Sequence, residues 1–392
     1  MSVARPVNDA ATASRPLLVW CAGTSWDGVA GTDWHMARSL ARYADVLWVD
    51  PPVSPATPPR YAHGASRVPW PTLRRLEPWL TRLTPRALPL YTRNPIRPTT
   101  APLIRLQIRW ALRRLAVRPH AVVASGLDDV LGRWGPDVLD VLYGTDDYVS
   151  GADLMGLDRR RIEREERIQL RHADVAVVVS QPLADRWRAL GFRGPLRVLP
   201  NGVDVSAYRD LDAVPPAPGI DLPRPVAGVV GQLSSRIDIA LLESVVAAGC
   251  SLLLVGPRDP AWEPVRFERL VAHPRVRWVG PQPFERLPRF LKLIDVGLTP
   301  YRDTSFNRAS FPLKTLEYLA AGKPVVSTDL PAVHWLSTRL VTVADASGFG
   351  EAARTLGLAP ASGELVRERI ALASQHSWEK RADAFAKHIG IA

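Results

Sequence analysis

Long hydrophobic runs are missing from this chain. Nowhere among its 392 residues do eighteen apolar residues follow one another, the length a helix needs to cross a bilayer, so no membrane span is expected. The first fifteen residues are polar and have no apolar core of signal-peptide length. Cysteine is nearly absent. Cys21 and Cys250 lie far apart in apolar surroundings, LLVWC and AAGCSLLLV, which reads as two buried thiols in a reduced compartment and argues against a disulfide framework. Lysine is scarce too. Only positions 292, 314, 323, 380 and 387 carry it, so arginine supplies almost all of the net charge of +11. Arginine richness of this kind also follows from the codon bias of a GC-rich genome, so single arginines say little about function. A cytoplasmic protein is the expectation.

What is present reads as a two-domain α/β protein. The length exceeds one ordinary core, and the apolar fraction of 46% is that of a folded protein. Short apolar runs of strand length recur at 17–21, 46–50, 121–125, 138–143, 175–180 and 196–199. A second series falls at 226–231, 251–256, 276–280, 296–300, 324–328 and 340–343. Helical stretches such as 239–248, 286–293 and 313–321 lie between them. Repeated strand–helix units predict two doubly wound parallel sheets facing a cleft. The boundaries expected are a disordered tail 1–15, a domain 16–210, a Pro-rich linker 211–225, a domain 226–375 and a final helix 376–392, placed to cross back to the first domain.

One region interrupts the alternation. Residues 51–119 hold thirteen Arg against one acid, Glu77, a net charge of +12 that exceeds that of the entire chain. Ile104, Ile108, Ala111, Leu112 and Leu115 share one helical face, with Arg105, Arg109 and Arg113 on another. The plain reading is an irregular insertion followed by an amphipathic helix. The sharper one is a basic, apolar surface for an anionic membrane or an anionic lipid-linked acceptor. No nucleic-acid-binding module is recognisable.

The stretch FPLKTLEYLAAGKPVV, 311–326, carries the chemistry. Leu316, Leu319 and Ala320 form the apolar face of a short helix that Gly322 and Pro324 stop before a strand. Its N-terminus opens at the sheet edge, where free N–H groups and the helix dipole favour an anion, and Pro312 suits the first turn. Lys314 adds a full positive charge, and Glu317 one turn on can accept two hydrogen bonds from a vicinal diol. Diphosphate plus diol describes a nucleotide. The alternative is an ordinary Lys–Glu pair at i,i+3.

This helix and strand, with LPNGVD and VRWVGPQPFERLPRFLKLIDVGLTPY, resemble the carboxyl-terminal domain of a GT-B-fold glycosyltransferase, in the TuaH-like group near glycosyltransferase family 4. TSWDGVAGTDWHMARSLARYADVLWVDPP and LYGTDDYVSGAD in the first half are similar to the same group. The resemblance implies that Glu317 holds the nucleotide ribose and that the amides of 310–314, with Ser310, Phe311, Leu313 and Lys314, meet the diphosphate. It places Arg236 against the phosphates, beside Gly231 and Gln232, and the base near Val279 and Gly280. Family 4 enzymes usually carry a second Glu eight residues before the ribose glutamate. Here that residue is Ala309, with Asn307 and Ser310 left to take over its hydrogen bonds. On the acceptor side, Trp26, Asp27 and His35, or the pair Asp146 and Asp147, follow strand ends, and an aspartate there could serve as general base for an inverting transfer. His35 also suits a core or capping position.

No metal is expected, since in this fold lysine, arginine and a helix dipole commonly replace the cation. The implied activity is transfer of a sugar from a nucleotide-diphosphate donor to a hydroxyl acceptor such as a cell-surface glycan, a lipid-linked intermediate or a natural product. No cofactor or nucleic acid is implied, and the place of work is the cytoplasm, up to the inner face of the membrane. A sugar-nucleotide epimerase of the same fold and a non-catalytic nucleotide-sugar-binding partner subunit remain as alternatives.

Overall fold

The computed structural model describes residues 15–392 apart from 29, 56, 58–69, 337–338 and 361. The expected tail therefore falls outside the described residues except for Arg15. The first sheet contains β1 (Leu17–Cys21), β2 (Asp45–Val49), β3 (Thr72–Glu77), β4 (Leu80–Thr84), β5 (Ala121–Ala124), β6 (Leu139–Gly144), β7 (Val175–Val178) and β8 (Leu196–Val198). Their order is β3-β4-β2-β1-β5-β6-β7-β8, parallel except where β3 runs against β4. The second contains β9 (Val226–Val230), β10 (Ser251–Val255), β11 (Val276–Trp278), β12 (Val296–Thr299), β13 (Val325–Ser327) and β14 (Val341–Val343), in the order β11-β10-β9-β12-β13-β14.

The central strands are buried end to end, as LLVWC, VAGVV and SLLLV require when helices cover both faces. Chain order reverses beside β1 in one sheet and beside β9 in the other, and in such sheets the crevice at the carboxyl ends next to that reversal is where ligands bind. Both cysteines are buried, one in each half.

The basic insertion is more regular than its sequence suggests. Residues 72–84 form a hairpin whose second strand continues the sheet beside β2. Its outer strand leaves Arg74, Arg75, Leu76 and Glu77 exposed, and charges on an edge strand discourage pairing with other chains. The amphipathic helix appears as Thr100–Leu115, burying Ile104, Ile108, Ala111 and Leu112.

The two halves are tied together. The helix Trp378–His388 returns to the first sheet, where Phe385 packs on Trp20 and Tyr143 with ring centroids 5.6 Å from each, and Asp383 accepts from Arg42 and Tyr43. Asn201 of the NGVD segment accepts from Thr32 Oγ1 at 2.9 Å and donates to the carbonyl of Phe311 at 3.0 Å, linking both domains through one side chain.

Candidate active site

The helix Leu313–Ala320 is set against β9 by Tyr318, whose hydroxyl accepts from the Val230 N–H at 2.8 Å and donates to the Gly228 carbonyl at 3.1 Å. This anchoring aims the first turn at the loop that leaves β9. No side chain caps that turn, so its leading N–H groups remain free for a ligand. The loop begins at Gly231, whose φ of +137° only glycine adopts readily. A Cβ on Gly256 would lie 1.9 Å from the Gly231 carbonyl, so two glycines make this close crossing of chains.

Lys314 Nζ is 2.8 and 2.9 Å from the two oxygens of Glu317. The two residues assigned to diphosphate and ribose are thus paired with each other, as the plain reading of the spacing allowed. Glu317 is buried at 8% exposure. Arg236 extends from the β9 loop beneath the rings of Tyr301 and Phe306, 5.2 and 4.8 Å from their centroids. Its Nε donates to Asn307 Oδ1 at 2.9 Å, while Asn307 Nδ2 donates to the carbonyls of Arg236 and Arg302. Asn307 is therefore committed to positioning Arg236. Gln232 is exposed beside it. Val279 and Gly280 lie at the end of β11, where the Gly280 carbonyl accepts from Gly256 N–H at 2.8 Å.

The turn 309–311 is where the domains touch. Ser180 Oγ donates to the Ala309 carbonyl, and Ser310 Oγ donates to Asp146 Oδ1 at 3.4 Å. Ala309 itself is 4% exposed, so its methyl group lies in a closed seam. Burial pushes Asp146 up to about 6; Arg236 and the Ser310 hydroxyl oppose the rise, and Asp33 and Asp147 add to it. Asp147, its neighbour, is turned to structural work: it accepts from Ser150 N and Oγ at 3.0 and 2.7 Å and from Arg186 at 3.0 Å.

The remaining acceptor-side expectations are placed away from the turn 309–311. Trp26 packs into a group with Trp34, Trp48 and Trp79. Asp27 is half exposed and pairs with Arg82 at 2.6 Å. His35 stacks on Trp378, centroids 5.2 Å apart and rings 2° from parallel, with Phe284 on its other side. Burial lowers its pKa to about 4, aided by Lys314 and Arg38 against Asp204, so it is neutral near pH 7. These contacts make His35 a packing residue of the interdomain seam.

A cavity of about 800 Å³ opens instead at the carboxyl ends of β1, β2 and β5. Its charged lining was not anticipated: Arg97, from the basic insertion, reaches Asp128 at 2.6 Å and Glu165 at 2.9 Å, with Arg161 beside them. The only available signal was the clustering of charge in RRRIEREER, 159–167, which reads equally well as a solvated helix face.

Comparison with known proteins accords with this geometry. The family model for Glycosyltransferase Family 4 matches residues 26–207, and that for Glycosyl transferases group 1 matches 224–357. The chain belongs to the GT-B-fold glycosyltransferases of this family 4 type. TuaH of Bacillus subtilis strain 168, named as a glycosyltransferase of teichuronic acid biosynthesis, is 38% identical over 109 residues, a match that spans 27% of each protein. Sucrose-phosphate synthase from Thermosynechococcus elongatus superposes with a TM-score of 0.70 at 19% identity, covering 95% of this chain and 98% of that one. HepE of Anabaena, solved with UDP and glucose, gives 0.65 at 14% identity, covering 96% and 99%. At these identities the solved structures establish the fold.

Proposed function

We propose that the protein transfers a sugar from a nucleotide-diphosphate donor, held by the second domain, to a hydroxyl acceptor held by the first. The observation that carries this reading is the convergence of Arg236, Lys314 and the uncapped start of Leu313–Ala320 on one side of the seam, opposite Asp146 on the other. As the sugar–phosphate bond breaks, negative charge grows on the departing diphosphate, and preorganised cations and amides stabilise it there. Binding exchanges the Lys314–Glu317 pair for two ligand contacts, Lys314 to diphosphate and Glu317 to ribose, with the base along Val279 and Gly280. Asp146 accepts the hydrogen bond, and then the proton, of the acceptor hydroxyl. A pKa near 6 leaves it mostly ionised at neutral pH yet basic enough to take that proton. With two cations and a helix end at the diphosphate, no divalent metal is needed in this scheme.

The acceptor is proposed to be a glycan or lipid-linked intermediate. Among the described residues no helix is long and apolar enough to cross a membrane. Peripheral contact with an anionic inner membrane face through 51–119 is supported by Leu106, exposed at 57%, and Arg109 and Arg113 on the same helix. The test of the donor assignment is a thermal-shift series with UDP-, GDP- and dTDP-linked sugars. A ligand at 100 times its Kd adds about 2.7 kcal/mol of stability, and the absence of a shift with all of them would overturn the assignment.

A further inference from the structure

The 800 Å³ cavity has a charge balance that bears on what it can hold. Its ionic lining comprises Asp50, Arg97, Asp128, Arg161 and Glu165. Asp50 is already saturated: it accepts from Trp26 N and Trp48 Nε1 on one oxygen and from Arg82 Nε and Thr84 Oγ1 on the other. Arg82 supplies its counter-charge at 2.6 Å. Two cations then face two carboxylates, and among the described residues the net charge of the remaining lining is zero.

The distribution of hydrogen-bonding capacity is equally specific. Arg97 directs Nη1 at Asp128 and both Nε and Nη2 at Glu165 Oε1, so its fork is occupied. Glu165 Oε2 is buried without a partner. Arg161 makes a single bond, Nη1 to the Thr92 carbonyl at 3.3 Å, and its Nε is buried without a partner. The cavity thus borders one unfilled acceptor and one unfilled donor, both covered at its wall and reached by a ligand only when the Glu165 or Arg161 side chain turns, between apolar walls that include Tyr91 and Leu157. A phosphate brings acceptors only: it would compete with Asp128 and Glu165 for Arg97 and meet their repulsion. A neutral sugar ring brings hydroxyls that donate to the carboxylate and accept from the guanidinium, with nothing to neutralise.

We infer that the first-domain cavity selects an uncharged saccharide as acceptor and disfavours sugar phosphates, with Glu165, Asp128 and Arg161 as the recognising groups. This rests on the acceptor-side reading above. An anionic group farther along the acceptor is compatible only where it lies outside the cavity.

The experiment uses the full chain saturated with whichever nucleotide-sugar gives a thermal shift. Binding of octyl hexopyranosides and of hexose 6-phosphates is then compared by saturation-transfer NMR and competition. Neutral sugars are expected to bind at least tenfold tighter than the phosphates. Glu165→Gln should weaken neutral-sugar binding by about tenfold, the loss typical of one charge-assisted hydrogen bond, while leaving the nucleotide shift and donor hydrolysis unchanged. Asp128→Asn gives the cavity a net positive charge and should narrow or invert the preference towards phosphates. Tighter phosphate binding by the parent protein overturns the inference, as does failure of both classes to bind while the nucleotide shift persists. Loss of the nucleotide shift itself would instead mark failure of the donor reading.

Discussion

The donor side of the cleft draws its proposed ligand groups mainly from two stretches, 231–236 and 307–317, each fixed by a strand end or a helix start. The acceptor side gathers its lining from five stretches between Ala22 and Glu165. A nucleotide diphosphate asks for generic features, an uncapped helix, a cation and a carboxylate, which one short motif can supply. An acceptor asks for a shape, and a shape is assembled from loops on a rigid sheet. If that contrast is right, disruption on the donor side should be severe and independent of acceptor, whereas disruption on the acceptor side should depend on which acceptor is offered.

The largest effect is expected for Lys314→Ala. Loss of one preorganised group facing a developing anion costs about 10²- to 10³-fold in kcat, and the fall should be the same with every acceptor and in donor hydrolysis. The change also leaves buried Glu317 without its partner, so the melting temperature of the ligand-free variant must be measured alongside. A folded variant with near-normal turnover would remove Lys314 from the mechanism and dissolve the contrast from the donor side.

Asp146 stands at the seam and should behave in between. Asp146→Asn is expected to lower kcat/KM by about 10²-fold and to abolish an acidic limb in the pH profile centred near pH 6, where the parent gains activity as the carboxyl ionises. Stability should move the other way. Because the folded pKa is raised from 3.8, the stabilisation from the neutral carboxyl is fully present below about pH 4 and is lost as pH rises through about 6. The asparagine variant should therefore be more stable than the parent at pH 7 and should lose this part of the pH dependence. An unchanged acidic limb in the variant would assign the titration to another group.

The same contrast explains what could be read from the sequence. Strands such as VAGVV and SLLLV are buried on both faces and announce themselves as apolar runs, and FPLKTLEYLAAGKP carries its helix, stop and charges within fourteen residues. The hairpin at 72–84 was hidden because its outer strand faces solvent and alternates nothing apolar. Asn201, which bridges Thr32 and the Phe311 carbonyl, and Tyr318, which pins the nucleotide helix to β9, act through contacts 88 to 169 residues away in sequence. The Arg97, Asp128 and Glu165 cluster joins a short 3-10 turn, a loop and a helix that are far apart in sequence. Pairings over such distances leave no local pattern, so the spacing rules that find helices and strands cannot find them.

The smallest effect separates the two candidate bases, Asp27 and Asp146. Asp27, in the turn after β1, has 56% of its side chain exposed and meets Arg82 at 2.6 Å, a setting in which an ion pair contributes about 0–1 kcal/mol. Arg82 keeps its bond to Asp50 when Asp27 is neutralised, so the buried hub at Asp50 survives the change. Asp27→Asn should therefore leave the melting temperature almost unmoved and kcat/KM within about twofold of the parent for every acceptor, since no group of the proposed cavity loses a partner. A loss of about 10²-fold confined to kcat would instead show that the acceptor hydroxyl is activated at Asp27, as an aspartate following the first strand would permit. The reacting hydroxyl would then lie at the β1–helix turn, the rim of the cavity formed by Gly23, Thr24, Ser25 and Gly28, rather than at Asp146, and the acceptor side would carry catalysis as well as shape.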